Sequence, residues 1–276
     1  MTTPVTSPAT PRSRTSIFFS YIRHELWRNL RMVDSLIFLI ALPLVIFAVF
    51  GVASPGTDKH IPGGTIAAYV MVSLALYGAA TAATSMAGAA AVEHDSGWGR
   101  HLALTGMRRG DYLAGKIIVS LLIACLPIGA TFLLGILTTA QFDTPGIWLA
   151  SAGLCLVGVF PFAFFGLAVA LALRSETAVS IASGVVVLLA FLGNLFMPLS
   201  GAMMEMARYT PFYGAGVLAH WPQNGEVIIT GAFATPGMPE ILPTESFAWA
   251  IGNVVVWTLI FAALAFLALR RSTVRR

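Results

Sequence analysis

The fold of this 276-residue chain is decided by the uncharged stretch at residues 66–92, IAAYVMVSLALYGAATAATSMAGAAAV. A helix rises about 1.5 Å per residue, so about 20 apolar residues cross the ~30 Å hydrocarbon core of a membrane. Further stretches without Lys, Arg, Asp or Glu lie on both sides of it, at residues 36–53, 117–140, 147–173, 179–197 and 247–269. They predict an all-α polytopic membrane protein with six transmembrane helices.

The positive charges lie almost entirely on one side of these spans. If the N-terminus is inside and the spans alternate, 14 of the 16 Lys and Arg residues fall inside, and only Lys59 and Arg208 fall outside. Cytoplasmic loops carry such an excess of basic residues. We therefore predict a multi-pass protein with both termini in the cytoplasm. The net charge of +4 then indicates contact with membrane lipids of anionic headgroup, and no nucleic-acid partner is expected.

The N-terminal residues and the cysteines are expected to carry no special function. Residues 1–15 are rich in Thr, Ser and Pro and predict a disordered tail. The alternative is a signal peptide with residues 36–52 as its apolar region, but the leading segment is too long and the apolar run exceeds the usual length. Cys125 and Cys155 lie about 12 Å deep from opposite faces, so we expect them to remain unbridged.

An amphipathic helix is predicted before the first span, at residues 16–33. Its apolar residues recur at steps of four and three: Phe18, Ile22, Leu26, Leu30 and Val33. Trp27 is typical of headgroup depth, and Arg28 and Arg31 lie on the polar surface, so the helix should lie flat in the membrane interface. The alternative is a soluble cytoplasmic helix, which we disfavour because we expect no surface in this chain to be long enough to cover it.

Small residues and two asparagines are the notable features of the spans. Residues 78–91 are mostly Gly and Ala and predict a closely packed helix interface. Asn194 and Asn253 are the strongest polar groups at membrane depth, and interhelical hydrogen bonding is favoured over substrate contact. The spans contain no acidic or basic residue, which argues against coupling to protons or sodium ions.

The longest inside loop, residues 93–116, has the composition of a docking element. Trp98, Leu102 and Leu104 form an apolar surface on a short helix that Gly106 can end. Acid-x-acid-x-Gly from Glu93, then Leu-Ala-Leu-Thr-Gly at 102–106 and Tyr-Leu-Ala-Gly-Lys at 112–116, resembles the loop between the second and third spans of type-2 ATP-binding-cassette (ABC) exporter permeases of the daunorubicin/multidrug-resistance-like group.

The resemblance extends along most of the chain, and it is carried by these further residues: Glu25, Arg31, Leu42-Pro43, Phe50-Gly51, Phe196-Met197-Pro198 and Thr210-Pro211. It implies that the inside loop couples to an ATPase through Glu93, Gly97, Trp98, Arg100, Leu102, Leu104, Thr105 and Gly106. This sequence has Gly106 where the family usually has Pro. The resemblance also implies short re-entrant outer helices within residues 198–246, although an ordinary extracellular loop remains the alternative. We assign Asn194, Phe196, Met197, Pro198 and Asn253 to the translocation path.

A nucleotide-binding motif in this chain is not expected. Residues 110–117, GDYLAGKI, nearly match a phosphate-binding loop, but Ile117 replaces the hydroxyl residue and a membrane span follows. His24, His60, His94, His101 and His220 are scattered, so neither a catalytic set nor a metal site is predicted. ATP and Mg²⁺ should therefore be used by a partner ATPase, with no cofactor bound by this chain.

The sequence thus predicts the transmembrane permease subunit of an ATP-driven ABC exporter, which is not itself an enzyme. The substrate is expected to be amphipathic or lipid-like, such as a drug or antibiotic, moved outward across the bacterial cytoplasmic membrane. The expected partners are an ABC ATPase and a second copy or a paralogous permease. The alternatives are export of a polysaccharide or teichoic-acid-type polymer, a non-transporting membrane partner of an ATPase, and a membrane enzyme acting on lipids.

Overall fold

A computed structural model describes residues 13–93, 107–173, 177–229 and 244–274. Within these ranges the chain forms ten α-helices: α1 Arg14–Leu30, α2 Val33–Phe47, α3 Ile66–Glu93, α4 Arg109–Ile136, α5 Pro145–Gly158, α6 Phe160–Leu173, α7 Thr177–Leu192, α8 Gly201–Ala207, α9 Pro211–Asn224 and α10 Phe247–Val274. A π-helical turn, Ala48–Val52, extends α2, and an antiparallel hairpin pairs β1 His60–Ile61 with β2 Gly64–Thr65.

The apolar helices confirm the all-α polytopic membrane fold. Four are long and apolar enough to cross a membrane: Ile66–Ala89, Gly110–Ile136, Pro145–Leu173 and Phe247–Arg270. Two shorter ones, Leu36–Val52 and Thr177–Leu192, lie where the first and fifth spans were predicted. The helix of the third span begins at Arg109, eight residues before its expected start, because α4 continues into the inside loop.

The small residues of α3 place this helix at the centre of the bundle, packed against α2, α4, α5, α6, α7 and α9. Ala79, Ala80 and Ala83 are completely buried, which confirms close packing over the described part of residues 78–91. A Cβ atom at Gly166 of α6 would lie 2.1 Å from the Thr84 carbonyl oxygen, so the two backbones touch at this point. Small side chains permit this approach.

The amphipathic helix α1 differs from the expected interfacial helix in one respect. Its apolar residues Ile22, Leu26 and Leu30 pack against a cluster formed by Ala82 of α3 and by Val119 and Ile123 of α4. The chain therefore does offer a surface for α1, which covers the start of α4. The opposite side of α1 remains exposed, with Phe19 and Trp27 on it.

The helix bundle has two ends, which we call the α1 end and the hairpin end. At the α1 end lie α1, the end of α3 and the start of α4. At the hairpin end, the hairpin, residues 137–144 and α9 meet. Two short helices, α8 and α9, occupy the predicted outer segment. α9 returns into the bundle, since His220 reaches Ser73, about 10 Å beyond the start of α3. Residues 230–243 of this segment lie outside the described residues.

Candidate functional site

Glu25 and Lys116 are buried between α1 and α4, and together with Arg28 and Asn29 they form what we call the Glu25 junction. The Glu25 carboxylate is 6% exposed and lies on the face of α1 that meets α4. Its Oε1 accepts hydrogen bonds from Lys116 Nζ at 2.5 Å, Arg28 Nη2 at 2.6 Å and Asn29 Nδ2 at 3.2 Å. A carboxylate removed from water requires such charged and hydrogen-bonded neighbours.

The start of α4 is shaped to receive α1. A Cβ atom at Gly115 would lie 2.7 Å from the Tyr21 ring, so only glycine lets the ring lie this close. The next residue, Lys116, reaches Glu25, and its ammonium lies 5.7 Å from the centre of the Tyr112 ring. The Gly-Lys pair that mimics a phosphate-binding loop therefore serves a contact between two helices.

A second ion pair joins the first turns of α1 and α4. The Arg14 guanidinium donates to Asp111 through Nε at 3.0 Å and Nη2 at 2.7 Å, in a two-pronged contact. Asp111 also accepts from the Arg108 backbone N–H at 3.4 Å, at the first turn of α4. Arg14 and Glu25 are 11 residues apart, about three turns of α1, so α4 holds this helix at two separate points.

The predicted coupling loop is only partly described. Glu93 is the last residue of α3, whereas Gly97, Trp98, Arg100, Leu102, Leu104, Thr105 and Gly106 lie outside the described residues. The predicted residues of the interfacial helix are all described. Arg28 pairs with Glu25, and the Arg31 guanidinium carbon lies 5.0 Å from the centre of the exposed Trp27 ring. Lys116 of the Glu25 junction is the last residue of the predicted coupling loop, residues 93–116, and lies about two turns into α4.

Neutral polar groups lie along the seam between α3 and α7. Thr81 and Ser85 follow Tyr77 at steps of four, and Ser85 Oγ lies 3.1 Å from Ser183 Oγ of α7. Aromatic rings close the seam toward the hairpin end, where Phe196 packs edge-on against Tyr77, with 4.7 Å between ring centres. The seam therefore combines hydroxyl groups with aromatic surface and contains no charged side chain among these described residues.

The two asparagines assigned to the translocation path form hydrogen bonds with backbone groups of other residues. Asn194, at a φ of 59°, accepts from Leu199 N at 2.6 Å through Oδ1 and donates to Ile229 O at 3.0 Å. Asn253 Nδ2 donates to the Arg208 carbonyl at 3.2 Å. Both amides thus bind backbone groups inside the chain. The other assigned residues, Met197 and Pro198, are exposed beside Phe196.

The hairpin end is held by hydrogen bonds centred on Thr65, and we call this group the Thr65 knot. Thr65 N donates to Gln141 O at 2.9 Å, Gln141 N donates to Thr65 Oγ1 at 3.1 Å, and Gln223 Nε2 donates to Thr65 O at 3.3 Å. Nothing in the local pattern of Thr65 indicates these contacts, because its partners follow 76 and 158 residues later.

A second contact at this end joins α10 to the link between α8 and α9. Arg208 Nε lies 2.6 Å from Glu245 Oε1, and the guanidinium lies 5.7 Å from the Trp249 ring centre. The adjacent Glu245 carboxylate raises the pKa of Arg208 above its ordinary value. Sequence reasoning placed Arg208 among the outer charges but did not pair it, since Glu245 is 37 residues away.

The sequence is similar to one family of known proteins. The sequence profile described as "ABC-2 family transporter protein" matches residues 58–269. The Bacillus subtilis (strain 168) protein "Putative transport permease YvfS" is 29% identical over 127 residues, which are 45% of this chain and 52% of that protein. This chain therefore spans about half the length of the curated relative. Neither similarity distinguishes daunorubicin or multidrug permeases from other members of the family.

Proposed function

Because this chain belongs to the ABC-2 family of transporter proteins, and is therefore a permease in a membrane, we propose that a separate ABC ATPase drives it to export a substrate. We place it in the bacterial cytoplasmic membrane with both termini in the cytoplasm. The charge distribution supports this orientation, since basic residues concentrate at the α1 end. The α1 end is then the cytoplasmic end, and the Thr65 knot lies outside.

The proposed mechanism rests on the contacts of the Glu25 junction. ATP binding in the partner displaces the coupling loop, which leads directly into α4. Lys116 transmits that displacement to Glu25 of α1 through their 2.5 Å contact. α1 ends at Leu30 and α2 begins at Val33, so the movement of α1 reaches the first span within three residues. A network of this kind can link two distant sites if it has two discrete arrangements.

The substrate we propose is amphipathic or lipid-like, such as a drug or antibiotic. The seam between α3 and α7 supports this, because its hydroxyl groups and aromatic rings suit a molecule with both polar and apolar parts. A second copy, or a paralogous permease, would complete the path across from this seam. Export of a polymer is the second candidate, and it would need a wide channel lined by aromatic rings.

Co-purification of the tagged full chain from its native membrane in mild detergent tests the partner. We expect a P-loop ATPase in about a one-to-one ratio, identified by mass spectrometry. Glu93→Arg and Leu104→Arg should insert normally yet lose the ATPase. The matched control is Glu205→Arg, which places the same charge on an exposed position at the hairpin end. Normal ATPase recovery with both loop variants would contradict the coupling assignment.

ATP-driven transport in proteoliposomes tests the substrate class. We expect ATP-dependent movement of a hydrophobic dye and no movement of a small, strongly charged solute. Transport of the charged solute alone would contradict the proposed class. A chain that binds the ATPase but moves nothing in this assay, and does not restore export to a deletion strain, would favour the alternative of a non-transporting membrane partner.

A further inference from the structure

The side of α1 that faces away from α4 carries the groups needed to bind a phosphate. Ser16, Phe19, Ser20 and Arg23 lie side by side on this exposed face and border an open space of about 420 Å³, which we call the cleft. Two hydroxyl groups and a guanidinium are donors of the kind that phosphate oxygens accept. The Phe19 ring is 64% exposed and supplies an apolar wall. Ile22, Leu26 and Leu30 of α1 pack instead toward α4 and its neighbours.

Arg23 differs from the other arginines of α1 in having no partner within the described ranges. Arg14 is held by Asp111, and Arg28 is held by Glu25. Arg23 is exposed and makes no hydrogen bond or ion pair with a described residue. Its guanidinium is therefore available to an anion from outside the chain, and it lies in the cleft with the two serines.

The position of the cleft indicates which anion it meets. α1 ends two residues before α2, whose apolar part enters the membrane at about Leu36. Phe19 and Trp27 are both exposed on α1, at 64% and 57%. Aromatic rings of this exposure beside a membrane span are typical of the headgroup region, where an apolar ring and a polar neighbour are both accommodated. α1 therefore lies at the depth of lipid phosphates.

We propose that this cleft binds the phosphate of an anionic phospholipid in the cytoplasmic leaflet. Arg23 and the hydroxyls of Ser16 and Ser20 donate to the phosphate oxygens, and Phe19 packs against the glycerol and upper acyl chains. The leaflet assignment rests on the proposed orientation of the chain. α1 contacts α4 through Glu25 and Arg14. A lipid bound to α1 would therefore also restrain the helix that we propose transmits the movement of the ATPase.

An anionic lipid fits the cleft better than a protein partner does. A lipid supplies both a negative headgroup, complementary to the uncompensated charge of Arg23, and acyl chains that cover the exposed Phe19. Trp27 and Arg31 follow farther along the chain, where the Arg31 guanidinium lies over the indole ring. Basic residues near an anionic membrane surface each contribute about 1 kcal/mol to binding.

Native mass spectrometry of the full chain in a neutral detergent tests this, with short-chain phosphatidylglycerol and phosphatidylcholine as probes. We expect tighter binding of phosphatidylglycerol. Arg23→Gln should weaken it about fivefold, which corresponds to about 1 kcal/mol. Ser16→Ala/Ser20→Ala should weaken it further, whereas Arg23→Lys should retain most of it. The matched control is Arg270→Gln, which removes one basic side chain from the far end of α10 and should change little.

Three outcomes would overturn the proposal. Equal binding of both lipids would show that the headgroup charge is not recognised. An equal loss in Arg270→Gln and Arg23→Gln would show that only total charge matters. Displacement of phosphatidylglycerol by an equal concentration of inorganic phosphate would show that the site takes a free anion. None of these outcomes depends on the ATPase, so the lipid site can fail while ATPase co-purification succeeds, or the reverse.

Discussion

The Glu25 junction and the Thr65 knot, at opposite ends of the bundle, are held by different chemistry, although the hairpin end also contains the Arg208–Glu245 ion pair. At the α1 end, the Glu25 junction and the Arg14–Asp111 pair join helices through long charged side chains. At the hairpin end, the Thr65 knot joins loops through backbone groups and short neutral side chains. Long side chains can follow a neighbouring helix when it shifts, because their rotamers absorb the displacement. Backbone hydrogen bonds cannot absorb such a displacement, because moving one residue breaks several of these bonds at once.

Ion pairs and backbone hydrogen bonds respond differently to movement, which indicates the end that can move during a transport cycle. A buried ion pair is stable only with both partners in place, and it can exchange partners among several charged groups. Arg28 and Lys116 both contact one oxygen of Glu25, so the junction contains more than one pairing. In the Thr65 knot the choice of partner is confined, among its described contacts, to the hydroxyl, which can donate to Thr139 O or Gln141 O, both at 3.5 Å. We therefore expect the α1 end to rearrange and the hairpin end to act as a fixed base.

The largest effect should come from Glu25→Gln. This change removes the charge that two cationic groups contact while keeping the side-chain size. Because breaking a buried ion pair is strongly unfavourable, the free energy of unfolding should fall by about 3–5 kcal/mol. Denaturant titration in mixed micelles measures it. The matched control is Glu205→Gln, an exposed acid at the hairpin end, which should change stability little.

A double variant at the Glu25 junction tests whether its charges contribute to folding stability or to the transmission of movement between helices. Glu25→Leu/Lys116→Met replaces the pair by apolar side chains of similar volume, which often restores stability. We expect most of the folding free energy to return while ATP-driven transport stays low, because the apolar contact cannot re-pair. Normal transport by this double variant would show that the charges of the junction serve stability alone.

The next effect should come from Gly63→Ala at the hairpin end. Gly63 has a φ of 76°, and a Cβ atom there would lie 1.9 Å from the Gln223 carbonyl oxygen. A non-glycine residue in this conformation costs about 1–3 kcal/mol, and the clash with backbone adds to it. The unfolding midpoint in detergent should fall, whereas Gly146→Ala, where the Cβ atom meets open space, should leave it unchanged. Equal unfolding midpoints in both variants would mean that the hairpin end accommodates the added methyl group at little energetic cost.

A smaller loss is expected from Thr65→Val. The Thr65 hydroxyl oxygen accepts from Gln141 N and from Ala68 N at 3.3 Å, in the first turn of α3. Losing a cap of this kind costs about 1–2 kcal/mol. Thr144→Val is the matched control, because Thr144 precedes α5 and its side chain makes no capping bond. If both variants lose equal stability in the denaturant titration, the hydroxyl of Thr65 is not what holds the knot.

Sequence patterns anticipated the spans and the small-residue interface of α3, because both follow from local composition. The Glu25 junction was not anticipated, since Lys116 follows 91 residues later. One signal was present: Glu25 follows the apolar Phe18 and Ile22 by seven and three residues, which places a charge on the apolar face of α1. A charge at such a position needs a buried partner. The knot at Thr65 left no comparable signal, because Thr and Gln are ordinary loop residues.

The smallest change in stability is expected from Arg14→Gln at the first turn of α1. The Arg14–Asp111 pair is exposed, so its loss should leave the unfolding midpoint nearly unchanged. It should instead release the first turn of α1, and hydrogen exchange of backbone amides should become faster at residues 14–20 than at residues 25–30. Raising the salt concentration should act on the unmodified protein in the same way, because salt screens exposed pairs more than buried ones. Arg270→Gln serves as the control for charge. If exchange rises equally along all of α1, the helix moves as one unit, and the Glu25 junction is not a separate attachment point.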